Sequence, residues 1–166
     1  MKSYEYDIFH APPLETMTES VVSFHPDIFI VFLNHLHDTY GSAGDSILFQ
    51  MSKDFSKQGM ALIGKQLGVD KEENYPKIID AFIERMRIHG WGEFKVIEAD
   101  YDNLDFSIQV SKIPFKEIYN DTSCMHYFYR GALAGFFEYM LEQPMLAKHH
   151  KTIKNKSIIF YISKQY

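Results

Sequence analysis

Cys124 is the one thiol in this chain. It stands at the start of a helical run, where a helix N-terminus can lower a thiol's pKa and lend it nucleophilic character. His126 follows two residues later, but residues at that spacing do not face each other on a helix. A catalytic Cys–His pair is therefore not supported locally, and an inert, at least half-buried thiol is the competing reading. Eight histidines (His10, His25, His35, His37, His89, His126, His149 and His150) raise the question of a metal. None stands four residues from another on a helix, and neither an HExxH pattern nor a CxxC pair is present. A metal centre would need distant residues, and His149-His150 on a strand would point to opposite faces. Asp100-Tyr-Asp102-Asn-Leu-Asp105 lacks the glycine and the bidentate acid of a calcium loop, and a polar hairpin turn explains it. No phosphate-binding glycine loop, nucleophile elbow or dinucleotide fingerprint appears. We expect no catalytic set, no metal site and no cofactor, which points away from an enzyme without deciding the matter.

Binding is better supported than catalysis. The run Cys124-Met-His-Tyr-Phe-Tyr-Arg-Gly-Ala-Leu-Ala-Gly-Phe-Phe-Glu138 is helical in pattern yet carries Gly131, Ala132, Ala134 and Gly135. Each glycine costs about 0.8–1 kcal/mol against alanine in a helix interior, so two of them need a reason. Either another backbone packs closely, or a ligand does. Tyr127, Phe128, Tyr129, Phe136 and Phe137 flank the gap, and a small floor with aromatic walls suits an apolar pocket. Arg130 could anchor a ligand carboxylate through its planar fork; it could equally pair with Asp121 or Glu138, or stack on a ring. The candidate pocket residues are Phe55, Met86, Cys124, Tyr127, Phe128, Arg130, Gly131, Gly135 and Phe136.

Those residues must be held by surrounding elements. A helix is expected from His25-Pro26-Asp27, with Pro26 in its first turn, to Tyr40-Gly41. A longer helix runs to Leu67-Gly68. Its apolar stripe is expected to be Ile47, Met51, Phe55 and Leu62, with Leu48 and Ile63 beside it and Ser52, Lys53, Ser56 and Lys57 mainly off it. A third, roughly Tyr75 to Ile88, puts Ile78, Ile79, Phe82, Ile83 and Met86 on one side and stops at His89-Gly90. The period then changes to two. Trp91–Tyr101 and Leu104–Val110 read as strands joined through Asp102-Asn103. After a polar stretch from Lys116 to Ser123, the Cys124–Leu141 helix ends before Pro144. Strands near Leu146–Ile153 and Ile158–Ser163 close the chain, with a turn near Asn155-Lys156. Before all of these, residues 1–24 form an arm with short strands at Tyr4–Phe9 and Val21–Phe24. Helices, hairpin, helix and hairpin in that order imply an α+β fold: an antiparallel sheet of about four to five strands with helices mainly on one face.

Composition sets outer limits. At 166 residues the chain suits one domain, and 46% apolar with 16% aromatic residues is ample for one core. The net charge of −5 argues against nucleic acid as a partner. One cysteine excludes an internal disulfide. The opening residues lack the apolar core of a secretory signal, and no stretch approaches the ~20 apolar residues of a membrane span. The expected compartment is the cytoplasm.

Gly90-Trp-Gly-Glu-Phe-Lys-Val-Ile-Glu98, the Cys124–Glu138 helix and a closing hairpin ending in Phe160 together resemble the 4-vinyl-reductase domain family. Members of that family share a fold with subunits of the TRAPP vesicle-tethering complex. Cys124, Phe128, Arg130, Gly131, Leu133, Ala134 and Gly135 match its C-x-F-x-R-G-x-L-A-G helix, with one extra residue between Cys124 and Phe128. The likeness spans roughly Asp45 to Ile162. It implies a domain of helices and antiparallel strands, commonly dimeric, that binds small apolar molecules in regulators. One branch is associated with vinyl reduction in bacteriochlorophyll synthesis, and TRAPP relatives are assembly subunits with an acyl-chain tunnel. The family's cysteines around a Gly-Asp turn have no counterpart between His149 and Phe160, so that metal or redox site is not carried over.

The expectation is a regulatory domain, spanning residues 1–166, that binds a small apolar ligand and acts through a homodimer or a protein partner. Its pocket would lie between the Cys124–Leu141 helix and the sheet, with help from the Ile47–Leu67 helix, and Arg130 or a tyrosine hydroxyl would orient the ligand. The alternative is an assembly protein like the TRAPP subunits; a third possibility is an accessory in tetrapyrrole vinyl reduction.

Overall fold

The computed structural model describes residues 26–67, 74–113, 123–153 and 157–165. The expected N-terminal arm, most of the Lys116–Ser123 loop and the Asn155-Lys156 turn lie outside the described residues, as do the side chains of Leu62, Ile63, Cys124 and His150. Four helices and four strands follow in the order α1 (Pro26–Tyr40), α2 (Ser42–Leu67), α3 (Tyr75–Ile88), β1 (Glu93–Asp100), β2 (Asp105–Ser111), α4 (Ser123–Leu141), β3 (Met145–Ile153) and β4 (Ser157–Lys164). The fold is α+β, with helices packed against an antiparallel sheet. Among the described residues, no helix is long and apolar enough to cross a membrane.

The strand order is β1-β2-β4-β3, and every neighbouring pair is antiparallel. The first hairpin follows from local sequence. Asp100 caps the first turn by accepting the backbone N–H groups of Asp102 and Asn103, both at 3.0 Å, which holds its carboxyl below the usual range. In β2 the alternation puts Phe106, Ile108 and Val110 on one face, opposite Ile162, Phe160 and Ile158 of β4. Because β4 pairs with both β2 and β3, β3 is left at an edge. A register shift between His149 and Lys151 interrupts it there.

α4 lies on the apolar face of the sheet. Phe137 meets Phe106 with ring centres 4.4 Å apart, and Phe136 stacks on Phe82 of α3 at 4.1 Å. From Met125 to Leu141 most of this helix is buried. A helix apolar on all sides must be covered all round, and the second cover is α2.

The α2–α4 contact reverses the expected stripe on α2. Ser52, expected off the stripe, is 1% exposed, whereas Ile47, Met51 and Phe55 are 50%, 38% and 74% exposed. The reason lies on α4. A Cβ on Gly131 would collide with Ser52 Oγ and the Phe49 carbonyl, and one on Gly135 would collide with the Lys53 carbonyl. Backbones this close leave room only for small side chains between them. Ser52 fits, its hydroxyl donating back to the Phe49 carbonyl at 3.0 Å, while Leu48 and Met60 are buried on the same side and Ile47, Met51 and Phe55 turn outward.

Candidate ligand site on the N-terminal half of α4

Gly90 has φ +74, a backbone state that side-chain-bearing residues rarely adopt. There the chain closes α3 with a double turn: Gly90 N–H donates to the Arg87 carbonyl at 3.1 Å and Trp91 N–H to the Met86 carbonyl at 2.9 Å. This turn fixes where Trp91 goes. Its carbonyl is held from the other side by the Tyr129 hydroxyl at 2.7 Å. Burial pushes that hydroxyl's pKa far above the usual tyrosine range, so it stays a donor.

So placed, the Trp91 ring stacks on Phe128 of α4 at 4.8 Å, and Phe29 of α1 approaches both edge-on, each at 5.3 Å. Three separate elements thus build one aromatic corner. Phe29 and Trp91 are half-buried, and Phe128 is 7% exposed. Rings in edge-to-face and offset contact offer both quadrupolar edges and apolar faces to a small aromatic or aliphatic group. Phe128 was a candidate from sequence. Phe29 and Trp91 were not; the signal for Trp91 was the glycine on each side of it.

The opposite flank of the same helix half holds a cation. Arg130 donates from Nε to the Ala147 carbonyl of β3 at 2.9 Å. Its guanidinium carbon lies 5.3 Å from the Tyr127 ring centre and 5.7 Å from that of Phe49 in α2. One helical turn earlier, His126 stacks on His149 of β3 at 4.7 Å. Stacked imidazoles present faces rather than lone pairs to each other. Among the described residues, no group of three or more His, Cys, Asp and Glu gathers as metal ligands do.

The remaining candidates fall elsewhere. Gly131 and Gly135 meet the α2 backbone, the first of the two reasons open from sequence. Phe136 is fully buried core between α4 and α3. Met86 is half-buried under the α3 terminus. Cys124 belongs to the first turn of α4, and its side chain lies outside the described residues. Phe55 projects from α2 into solvent, away from α4. Between the C-terminal half of α4 and the sheet, where the pocket was expected to extend, the Phe106 and Phe137 rings lie 4.4 Å apart and are fully buried. A shallow groove of ≈ 370 Å³ lies apart from α4, where Ile83 and Arg87 of α3 meet Phe94 and Lys95 of β1.

No family model matches the sequence, and no curated protein does. Solved structures do match. The phenol-responsive sensory domain of the transcription activator PoxR, solved with phenol, matches with a TM-score of 0.69 at 10% identity, over 86% of this chain and 76% of that one. The trafficking protein particle complex subunit 3 of Naegleria fowleri, covalently bound to palmitic acid, gives 0.63 at 10% identity, over 84% and 92%. A vinyl-4-reductase family protein of Methanocaldococcus jannaschii gives 0.59 at 15% identity, over 88% and 85%. This chain has their fold. The resemblance read from the Gly90–Glu98 and Cys124–Glu138 segments is thus matched in three dimensions. At 10–15% identity the likeness is one of architecture.

Proposed function

We propose that this chain is a single cytoplasmic regulatory domain that binds a small apolar ligand at the Phe29–Trp91–Phe128 corner and acts through homodimerisation. The carrying observation is that corner: half-buried rings from α1 and the α3–β1 turn meet a buried ring of α4 at 4.8–5.3 Å. Support also comes from the shared fold, since one neighbour was solved with phenol and another with palmitic acid.

α1 supplies the route for a signal. Its inner face gives Phe29 to the corner and Ile30 and Leu33 to the core, while Ile28, Val31 and Phe32 on its outer face are 58%, 58% and 44% exposed. A helix apolar on both faces belongs between two partners. The second partner is another copy of the chain. A ligand that shifts Phe29 would then move the helix forming the dimer contact, with the size of the response set by differential affinity for the two states.

Trp91 is the one tryptophan, so its fluorescence reports this corner alone. Titration with phenol should shift its emission saturably, and Phe128→Ala should weaken that response about tenfold, the scale of losing one well-packed aromatic contact. The absence of a saturable shift at millimolar phenol, together with a ligand-free mass in native mass spectrometry, would sink the ligand-binding reading.

One observation favours a second reading, an assembly subunit. The space along the C-terminal half of α4 is filled by the chain's own side chains while α1 and α2 carry outward apolar residues. A ligand-free dimer indifferent to phenol is the outcome expected on that reading.

A further inference from the structure

A half-buried cation normally has an anionic partner, because desolvation without a counter-charge is costly. Arg130 is half-buried and forms no ion pair among the described residues. Of the two internal partners open from sequence, Asp121 lies outside the described residues, and Glu138 stands two turns along the same helix. It is instead taken by Lys53 at 2.6 Å, Lys57 at 3.5 Å and the Met145 N–H at 3.2 Å.

The guanidinium is also held in one orientation. The Nε bond to the Ala147 carbonyl fixes its edge, and the Tyr127 and Phe49 rings lie against it. Phe49 is there because Gly131 lets α2 approach, with the Phe49 carbonyl where a side chain would stand. Of five N–H donors, Nε uses one, and the two Nη atoms carry the other four. The end-on pair matches the spacing of a carboxylate's two oxygens.

We infer that Arg130 anchors a second site, on the other flank of α4 from the aromatic corner, for the carboxylate of a small organic acid. The carboxylate pairs end-on with the two Nη groups, and the acid's apolar body lies against Tyr127 and Phe49. The inference does not rest on the phenol-type site.

The test uses the full chain labelled with ¹⁵N and follows the arginine Nε–H resonances during titration with sodium benzoate. Benzyl alcohol serves as the neutral control and sodium chloride as the ionic-strength control. Benzoate should shift the Arg130 resonance saturably, benzyl alcohol and chloride should not, and Arg130→Lys should weaken benzoate binding about tenfold, since an ammonium lacks the fork. Tyr127→Leu, which keeps the guanidinium and removes one ring, should weaken it roughly threefold and covers the case in which Arg130→Lys does not fold. No saturable shift up to roughly 10 mM benzoate, equal shifts with benzyl alcohol, or unchanged affinity in the substituted proteins would overturn the inference. A dimer lost in Arg130→Lys with no benzoate response would overturn it too, assigning Arg130 to an acidic side chain of the partner copy. Loss of the Trp91 response to phenol with the benzoate shift intact would count against the proposed function alone.

Discussion

Lys53 Nζ lies 2.6 Å from Glu138 Oε1, and the two side chains are only 15% and 11% exposed. The same lysine's carbonyl occupies the space above Gly135, one helical turn before Glu138. Lys53 therefore ties α2 to α4 twice, once through its backbone and once through its charge. Glu138 extends the tie to β3 through the Met145 N–H.

Removing one member of this pair should cost more than removing both. Glu138→Gln leaves the Lys53 ammonium without its counter-charge in a poorly hydrated contact, and a loss of about 3 kcal/mol is expected. The double substitution Lys53→Met with Glu138→Leu should recover much of it. Urea unfolding of the two single variants and the double variant, taken as a cycle, gives the coupling. Additive losses would show that the pair does not couple α2 to α4.

Gly135→Ala should destabilise the protein by about 1–3 kcal/mol, because the added methyl collides with the backbone carbonyl of Lys53 rather than with a movable side chain. Gly59 lies in the same long helix α2, but nothing stands within 4 Å of a Cβ there. Gly59→Ala should therefore leave stability unchanged or raise it by up to about 1 kcal/mol. Equal effects of the two substitutions in thermal unfolding would contradict the close α2–α4 contact.

Tyr129 links stability to alkaline pH. It is fully buried, its hydroxyl donates to the Trp91 carbonyl, and burial raises its pKa in the folded chain. In the unfolded chain it titrates near ~10. The folded state thus holds a proton that the unfolded state gives up, so the stabilisation is complete below about pH 10 and declines as pH rises above it. Tyr129→Phe should cost about 1–2 kcal/mol at neutral pH through the lost hydrogen bond and should flatten part of the decline above pH 10. The check is denaturant midpoints across the alkaline range; an unchanged slope in the variant would assign the decline to other groups.

The outer face of α1 should govern association without governing folding. Val31 and Phe32 are 58% and 44% exposed, so Val31→Glu with Phe32→Gln should shift a dimer to monomer in light scattering while changing stability at the monomer level by less than about 0.5 kcal/mol. A monomeric parent protein, or a dimer indifferent to both changes, would remove α1 as the contact.

Much of the architecture was legible because it rests on local periodicity. The 3.6-residue spacing of Ile78, Ile79, Phe82, Ile83 and Met86 marked α3, and the two-residue alternation of Phe106, Ile108 and Val110 marked β2. Both patterns reflect a single buried face, which a one-dimensional string can record. Gly131 and Gly135 were legible as sites of close approach, though not as to what approaches.

By itself the sequence determined the α+β class, the order of helices and hairpins, and the importance of the Cys124–Glu138 segment. Only the tertiary structure decided which side of α2 faces inward, that β4 lies between β2 and β3, and that Trp91 joins Phe29 and Phe128. α2 carries two stripes, Ile47–Met51–Phe55 and Leu48–Ser52–Met60, and hydrophobicity alone favours the bulkier one. The choice went the other way because the distance between α2 and α4 is set by glycines some 80 residues further along the chain, and a contact that close admits only a small residue such as Ser52. Neither helix records that distance in its own pattern; it exists only once the two are packed together.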